Sequence, residues 1–571
     1  MPIDATRRVA GLLLPVFALR HPSDLGIGDT LAMREAIDFC ANQGLGILQV
    51  LPINETGGDN SPYNAISSVA LAPELLTMTP EEVPGLTSEV LEQLAPVTLA
   101  AELRLGAVDY PRVKSLKLDL LAAAFSEFES RELEANTPLA EEFIAFISAN
   151  ESWLPAYTLF RALVNEYEGN AHWIEWKPEH QDYAAALAWL ESNEQRDELE
   201  RIRDFFAYTQ WVAYRQWAAV RAYADSKGVR LMGDMPFGVS RYGADVWAYR
   251  GLFDLTWSGG APPEPFFETD KFTTRWGQNW GIPLYHWDAH RAENFAWWRQ
   301  RVRLISACFH DFRIDHVLGF FRIYSFPWLP KDNHVFVDLQ PEQVKAMTEG
   351  RLPQFLPGPD EPESFAKINE AQGEELLRMV LDAAGSVGVV AEDLGVVPKY
   401  VRPLLQKLGI PGFVIPIFER ISDEDREFKP RETYPVLSLA TYGTHDHAPL
   451  VTYFEDLVKR WHGRDGHEAW LDVQRLMRWL GLDDKNPPKV WNEVLHAAFV
   501  RALLESPSCM TVFMVTDVLG TEQRFNLPGS CNEANWSKRL DMPLNDYLTH
   551  PETGSCLKWF KDLVRQTGRT I

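Results

Sequence analysis

Four short segments set acids beside groups that can tune them: Gly233-Asp234-Met235-Pro236, Phe312-Arg313-Ile314-Asp315-His316, Ala391-Glu392-Asp393-Leu394-Gly395 and Gly443-Thr444-His445-Asp446-His447. In an extended backbone side chains alternate, so Arg313 and Asp315 share a face. An adjacent cation favours the ionised carboxylate, the form a carboxylate nucleophile needs. Glu392 and Asp393 are consecutive and point to opposite sides, so only one of them can face a ligand. One carboxyl held ionised and another kept protonated across a single bond is the arrangement that glycoside chemistry requires, with the two about 5 to 6 Å apart when configuration is retained. Taken singly, each segment also has a plain reading: a rim ion pair for Arg-x-Asp, a solvated pair for Glu-Asp, a hydrogen-bonding cluster for His-Asp-His. His445 and His447 have no further suitably spaced partners, so no metal site is expected. With no Rossmann glycine fingerprint and no phosphate-binding loop, no cofactor is expected either.

Each of these segments closes an apolar run, and such runs recur along the chain: Gly11 to Pro15, Gly46 to Pro52, Arg230 to Pro236, Phe309 to Asp315, Val387 to Asp393, Gly412 to Phe418, Leu437 to Asp446 and Thr511 to Asp517. Apolar runs followed by polar turns and helical periodicity indicate a parallel α/β sheet. Eight of them predict a closed (β/α)8 TIM barrel, whose reactive groups gather where strands end. The whole of 1–571 reads as one barrel. Within it, 77–227 reads as a mainly helical insertion after the second strand, and 251–287, dense in Pro, Gly and aromatics without a period, as a long loop over the site. The polar, proline-rich 332–363 reads as a surface excursion.

Composition narrows the partners. The net charge of −25, from 80 acidic and 55 basic side chains, repels nucleic acid and anionic lipid but is indifferent to a neutral sugar. The 20 Trp and 17 Tyr include flat faces on which pyranose rings can stack, although most of them are expected in the core. Five scattered cysteines, Cys40, Cys308, Cys509, Cys531 and Cys556, form no pairing pattern and fit a reducing, cytoplasmic location. The apolar start Val9 to Leu19 is interrupted by Pro15 and followed by Arg20-His21-Pro22, which is unlike a cleaved signal, and no run is long enough to span a membrane.

The acidic segments, in their order, resemble those of the amylomaltases, the 4-α-glucanotransferases also called disproportionating enzymes. The likeness extends through Asp24-Leu-Gly-Ile-Gly-Asp29, Gln49-Val-Leu-Pro52, Ser61-Pro62-Tyr63, Ala244-Asp245-Val-Trp247, Trp280-Gly-Ile-Pro-Leu-Tyr-His-Trp287, Arg524-Phe-Asn526 and Asn535-Trp536. The resemblance implies Asp315 as nucleophile, Glu392 as general acid/base and Asp446 as the carboxylate that stabilises the transition state. It further implies that Arg313, His316, His445 and Asp234 contact the sugar at the cleavage point, that Tyr63, Gln278, Trp280 and Asn526 lie near bound glucan, and that maltooligosaccharides and α-1,4-glucans serve as donor and acceptor. A plain α-glucan hydrolase shares these carboxylates, and a non-catalytic glucan binder would need only the fold. Departures are also visible. Val317-Leu318-Gly319 follows the Asp-His pair where Phe-Arg-Gly is usual, so the nearest later arginine is Arg322, and His447 stands where Asn is common. The loop before Gln278 is longer than usual and carries Phe266, Phe267, Phe272 and Trp276, which are expected over the barrel mouth.

Overall fold

The computed structural model describes residues 3–263, 270–422, 424–528 and 534–571. Its strands are β1 (Val9–Leu14), β2 (Ile47–Val50), β3 (Arg230–Met235), β4 (Phe253–Ala261), β5 (Gln278–Tyr285), β6 (Asp311–Ile314), β7 (Ile323–Phe326), β8 (Gln354–Leu356), β9 (Gly388–Ala391), β10 (Gly412–Val414), β11 (Ser438–Ala440) and β12 (Met510–Met514). Eight form one parallel sheet in the order β10-β11-β12-β1-β2-β3-β6-β9. Each of the eight apolar runs contributes one of these strands. They are largely apolar because helices cover the outer face while side chains fill the interior, and the polar exceptions include Gln49 on β2, Asp234 on β3 and Arg313 on β6.

The seam between β9 and β10 carries no ladder, but Ala391 N–H donates to Pro411 O at 2.9 Å. Asp393 adds a side-chain rung, accepting from the Phe413 amide at 2.6 Å and pairing with Arg402 at 2.9 Å. Asp393 therefore points away from Glu392 and holds the barrel shut, as alternation requires.

The first β-to-α unit shows how local chemistry sets these elements. Asp29 caps the helix Thr30–Gln43 by accepting from the Leu31 and Ala32 amides, and Gly44, at φ 76°, ends it in the left-handed region that glycine tolerates. Between β2 and β3 the chain leaves the barrel through helices that include Tyr110–Phe128, Pro138–Ala149 and Leu154–Glu166. It returns along the 32-residue helix Arg196–Lys227.

Several expectations need correction. The stretch 251–287 is not an irregular loop: β4 and β5 pair antiparallel within a second sheet of order β5-β4-β7-β8, and Lys271–Trp276 is a short helix. Bulges between Asp254 and Gly260 erase the two-residue period. The glycines that look like turn signals admit close neighbours instead, since a Cβ on Gly260 would lie 1.9 Å from Gln278 O. Secondly, Phe272 and Trp276 do not cover the mouth. They are buried against Phe326, Trp328 and Phe336, with Trp276 Nε1 donating to Phe336 O at 2.9 Å; Phe266 and Phe267 lie outside the described residues. The segment 332–363 is likewise more than surface, because it supplies β8, the edge strand paired to β7. Thirdly, the last three strands end well short of the expected runs, β10 already at Val414 rather than Phe418. β11 stops at Ala440, where Thr441 Oγ1 donates to Gly443 O and turns the chain, so Asp446 sits in a loop. β12 gives way to the helix Val515–Leu519, which contains Asp517.

Candidate active site

Arg313, 3% exposed, is the hub at the C-terminal mouth of the barrel. The register of β3 beside β6 sets Asp234 directly against Arg313. Nη1 donates to Asp234 Oδ2 at 2.6 Å, Nη2 donates to Asp315 Oδ1 at 2.7 Å, and Nη2 lies 3.9 Å from Glu392 Oε2. The triangle through Nη2 therefore holds the nearest measured pair of oxygens, Asp315 Oδ1 and Glu392 Oε2, no further apart than 2.7 plus 3.9 Å, or 6.6 Å. That ceiling includes the whole range of about 5 to 5.5 Å found in retaining glycosidases and only touches the bottom of the inverting range, about 6.5 Å. Asp315 Oδ2 carries no hydrogen bond among the described residues.

Glu392 follows β9 and is buried. Its Oε2 accepts from the His316 amide at 2.7 Å and its Oε1 from the Leu394 amide at 3.1 Å. The first of these bonds depends on local backbone strain: His316 sits at φ 48°, an uncommon region for a non-glycine residue, and that turn aims its N–H at the carboxylate. Burial pushes the Glu392 carboxyl up to about 7; Arg313 opposes the rise and Asp315 adds to it. Glu392 thus stays protonated far above the ordinary carboxylic range, as a general acid must at neutral pH. Burial also pushes the His316 imidazole down to about 4, against the pull of Asp315.

Asp446 closes the opposite wall and has the opposite tuning. Burial alone would raise its carboxyl, but His445, with Nε2 at 3.3 Å, and a hydrogen bond from Asn526 Nδ2 hold it well below the usual range. Tyr63 links the two walls. Its hydroxyl donates to Asp234 Oδ2 at 2.7 Å and lies 3.2 Å from His445 Nδ1, and its ring stacks on His445 at 4.8 Å. Asp234 Oδ1 is buried and has no hydrogen-bond partner among the described residues. The residues Asp315, Glu392, Asp446, Arg313, His316, His445, Asp234, Tyr63 and Asn526 thus form one connected set around the mouth. Gln278 and Trp280 stand beside it, lining an open cleft of about 640 Å³ with His316, Arg322 and Leu394. Trp280 is 39% exposed and meets the His316 ring edge-on at 4.8 Å.

A family model described as 4-alpha-glucanotransferase, glycoside hydrolase family 77, matches residues 14–545. The chain belongs to that family. This glucanotransferase is 29% identical over 548 residues to a 4-alpha-glucanotransferase of Chlamydia caviae, covering 95% of this chain and 92% of the relative. It is 30% identical over 544 residues to one of Thermus thermophilus, covering 93% and 95%. Among solved structures, an amylomaltase from Streptococcus agalactiae in complex with acarbose superposes with a TM-score of 0.74 at 22% identity, over 99% of this chain and 100% of that one. An amylomaltase from Corynebacterium glutamicum gives 0.73 at 21% identity, over 96% and 75%. These two likenesses bear on the fold.

Two supports of this candidate site stand in motifs named above without a role of their own. Arg524 Nε donates to Asn526 O at 2.6 Å and Nη2 donates to Asp446 O, so this guanidinium ties the Asn526 loop to the Asp446 loop. Its position two residues before Asn526 was the available signal. Trp536, packed at 6.0 Å from Tyr63 and 5.6 Å from His445, backs the stacked pair, and its place in the Asn535-Trp536 motif is the signal for it in the sequence.

Proposed function

We propose that this enzyme moves α-1,4-glucan segments between maltooligosaccharides by a retaining double displacement through a glucosyl-Asp315 intermediate. The observation that carries the reading is the single Arg313 nitrogen bonded to Asp315 and 3.9 Å from Glu392, which limits the separation of the two carboxyls. Glu392 turns off the Leu394 amide, the longer of its two hydrogen bonds, and gives its proton to the glycosidic oxygen. Asp315 Oδ2 bonds to the anomeric carbon as the C–O bond breaks, and that electron pair leaves with the protonated oxygen. Asp446, kept anionic, stabilises the positive charge that develops on the sugar ring. Arg313 holds Asp315 in place, Asp234 holds Arg313 and Tyr63, and His445 and Tyr63 receive the sugar hydroxyls. In the second half, an acceptor 4-hydroxyl passes its proton to Glu392 and its oxygen displaces Asp315, restoring the α-linkage.

Transfer outruns hydrolysis only where a bound sugar reaches the intermediate faster than water, so the cleft must supply acceptor affinity and exclude solvent. The aromatic walls at Trp280 and Phe355 suit that task. We place the enzyme in the cytoplasm: Cys40, Cys308, Cys509 and Cys556 are free thiols, and among the described residues no helix is long and apolar enough to cross a membrane.

Maltotriose as sole substrate separates this reading from a hydrolase. We expect glucose plus a ladder of longer oligosaccharides on chromatography, with the number of reducing ends constant. Reducing ends that rise in step with glucose, with no longer products, would make the protein a hydrolase.

A further inference from the structure

Arg322 is 4% exposed, yet it lines the cleft beside the active site. Its guanidinium is gripped along one edge by Asp360, with Nε at 2.9 and 3.0 Å from the two carboxylate oxygens and Nη2 at 2.7 Å from Oδ2. Asp360 is itself held by the Tyr400 hydroxyl at 2.8 Å. One flat face rests on the Phe355 ring, 3.6 Å from its centroid. Three constraints thus immobilise a costly buried cation, while Nη1 has no acceptor among the described residues. A guanidinium pinned on one edge and one face offers its remaining N–H groups in a fixed direction, a geometry suited to sugar hydroxyls.

The side of the cleft follows from the chemistry. The sugar under attack must sit among Asp315, Asp446, His445 and Tyr63, and Glu392 must reach the oxygen that links it to the next unit. His316 and Leu394, whose amides hold Glu392, line the cleft together with Gly395 and Val396. The cleft therefore continues from the general acid away from the attacked sugar, where the leaving group departs and the acceptor enters. Arg322 also helps depress the His316 imidazole, which reflects its nearness to the reacting centre.

We infer that Arg322, clamped by Asp360 and stacked on Phe355, binds the acceptor glucosyl unit through Nη1 and so sets whether the intermediate reacts with sugar or with water. This rests on the transfer mechanism proposed above. The pairing also gives a task to the segment 332–363, which contributes both Phe355 and Asp360, and to the arginine that follows Val317-Leu318 where the family pattern carries its own earlier.

The test uses α-glucosyl fluoride as donor and maltose as acceptor, scoring released fluoride, free glucose and new oligosaccharide. Arg322→Lys keeps the charge but loses the fork. The acceptor KM should rise about tenfold, equivalent to about 1.4 kcal/mol, and the ratio of transfer to hydrolysis should fall by a similar factor. Fluoride release without acceptor should change by less than threefold. Asp360→Asn and Tyr400→Phe, which leave the guanidinium present but loosen its clamp, should lower the ratio severalfold, and they carry the test if melting shows that Arg322→Lys is unfolded. Ratios within twofold of the parent in all folded variants, or fluoride release falling in parallel with transfer, would overturn the role of Arg322. A parent enzyme that makes no oligosaccharide at all would instead sink the transfer reading.

Discussion

Replacing Asp315 with Asn should lower transfer from maltotriose by about 10⁴-fold or more while leaving the melting temperature within a few degrees of the parent. Asn keeps the size of the side chain and can still meet its neighbours, but it cannot form the ester to the anomeric carbon. Little stability is at stake. The Asp315 side chain is 29% exposed, and buried Arg313 retains Asp234 at 2.6 Å as its counterion. Parallel melting curves and product chromatograms check both halves of the expectation. Loss of activity of less than about tenfold, in a protein that melts normally, would mean that another group attacks the sugar.

Glu392→Gln should lower transfer from maltotriose by about 10³-fold, the middle of the range for removing a general acid. α-Glucosyl fluoride has a leaving group that needs no proton, so the burst of fluoride from the first turnover, before the glucosyl-enzyme must be resolved, should survive within about tenfold. The pH profile gives a second handle. Because burial raises the Glu392 carboxyl to about 7, its proton is present below that pH and lost above it. The kcat/KM for maltotriose should therefore fall as pH rises through about 7. Fluoride release by the variant should lack that limb. An equal defect with both donors, or an unchanged alkaline limb, would remove Glu392 from the role of acid.

How far the chain could be read in advance depended on the range of the interactions involved. The barrel strands were legible because a parallel strand buried on both faces must be a continuous apolar run, as in β1, Val-Ala-Gly-Leu-Leu-Leu. The two-residue alternation of β6 put Arg313 beside Asp315. The same rule at the end of β9 split Glu392, turned inward, from Asp393, turned to the seam. The second sheet was opaque because its order is set by partners distant in sequence and its alternation is broken by bulges at Gly259 and Gly260. Nothing local joins Arg322 to Asp360, 38 residues later. The aromatic residues Phe272 and Trp276 looked functional because they lacked a period, yet they serve a small satellite core. Asp446 was legible as the acid closing the run Leu437 to Asp446 although its strand ends at Ala440, since a strand end and a tight loop after it look alike in sequence.

The most direct test of the account is to catch the intermediate. Glu392→Gln enzyme incubated with α-glucosyl fluoride and no acceptor should carry out the first step and, lacking the base that activates an incoming hydroxyl, accumulate the glucosyl-enzyme. Mass spectrometry of a rapidly acid-quenched digest should then find one added glucosyl group on the peptide that contains Asp315. Addition of azide, an acceptor that needs no base, should release it as α-glucosyl azide. An unlabelled Asp315 peptide accompanied by β-glucosyl azide, or a label on any other carboxylate, would contradict the mechanism.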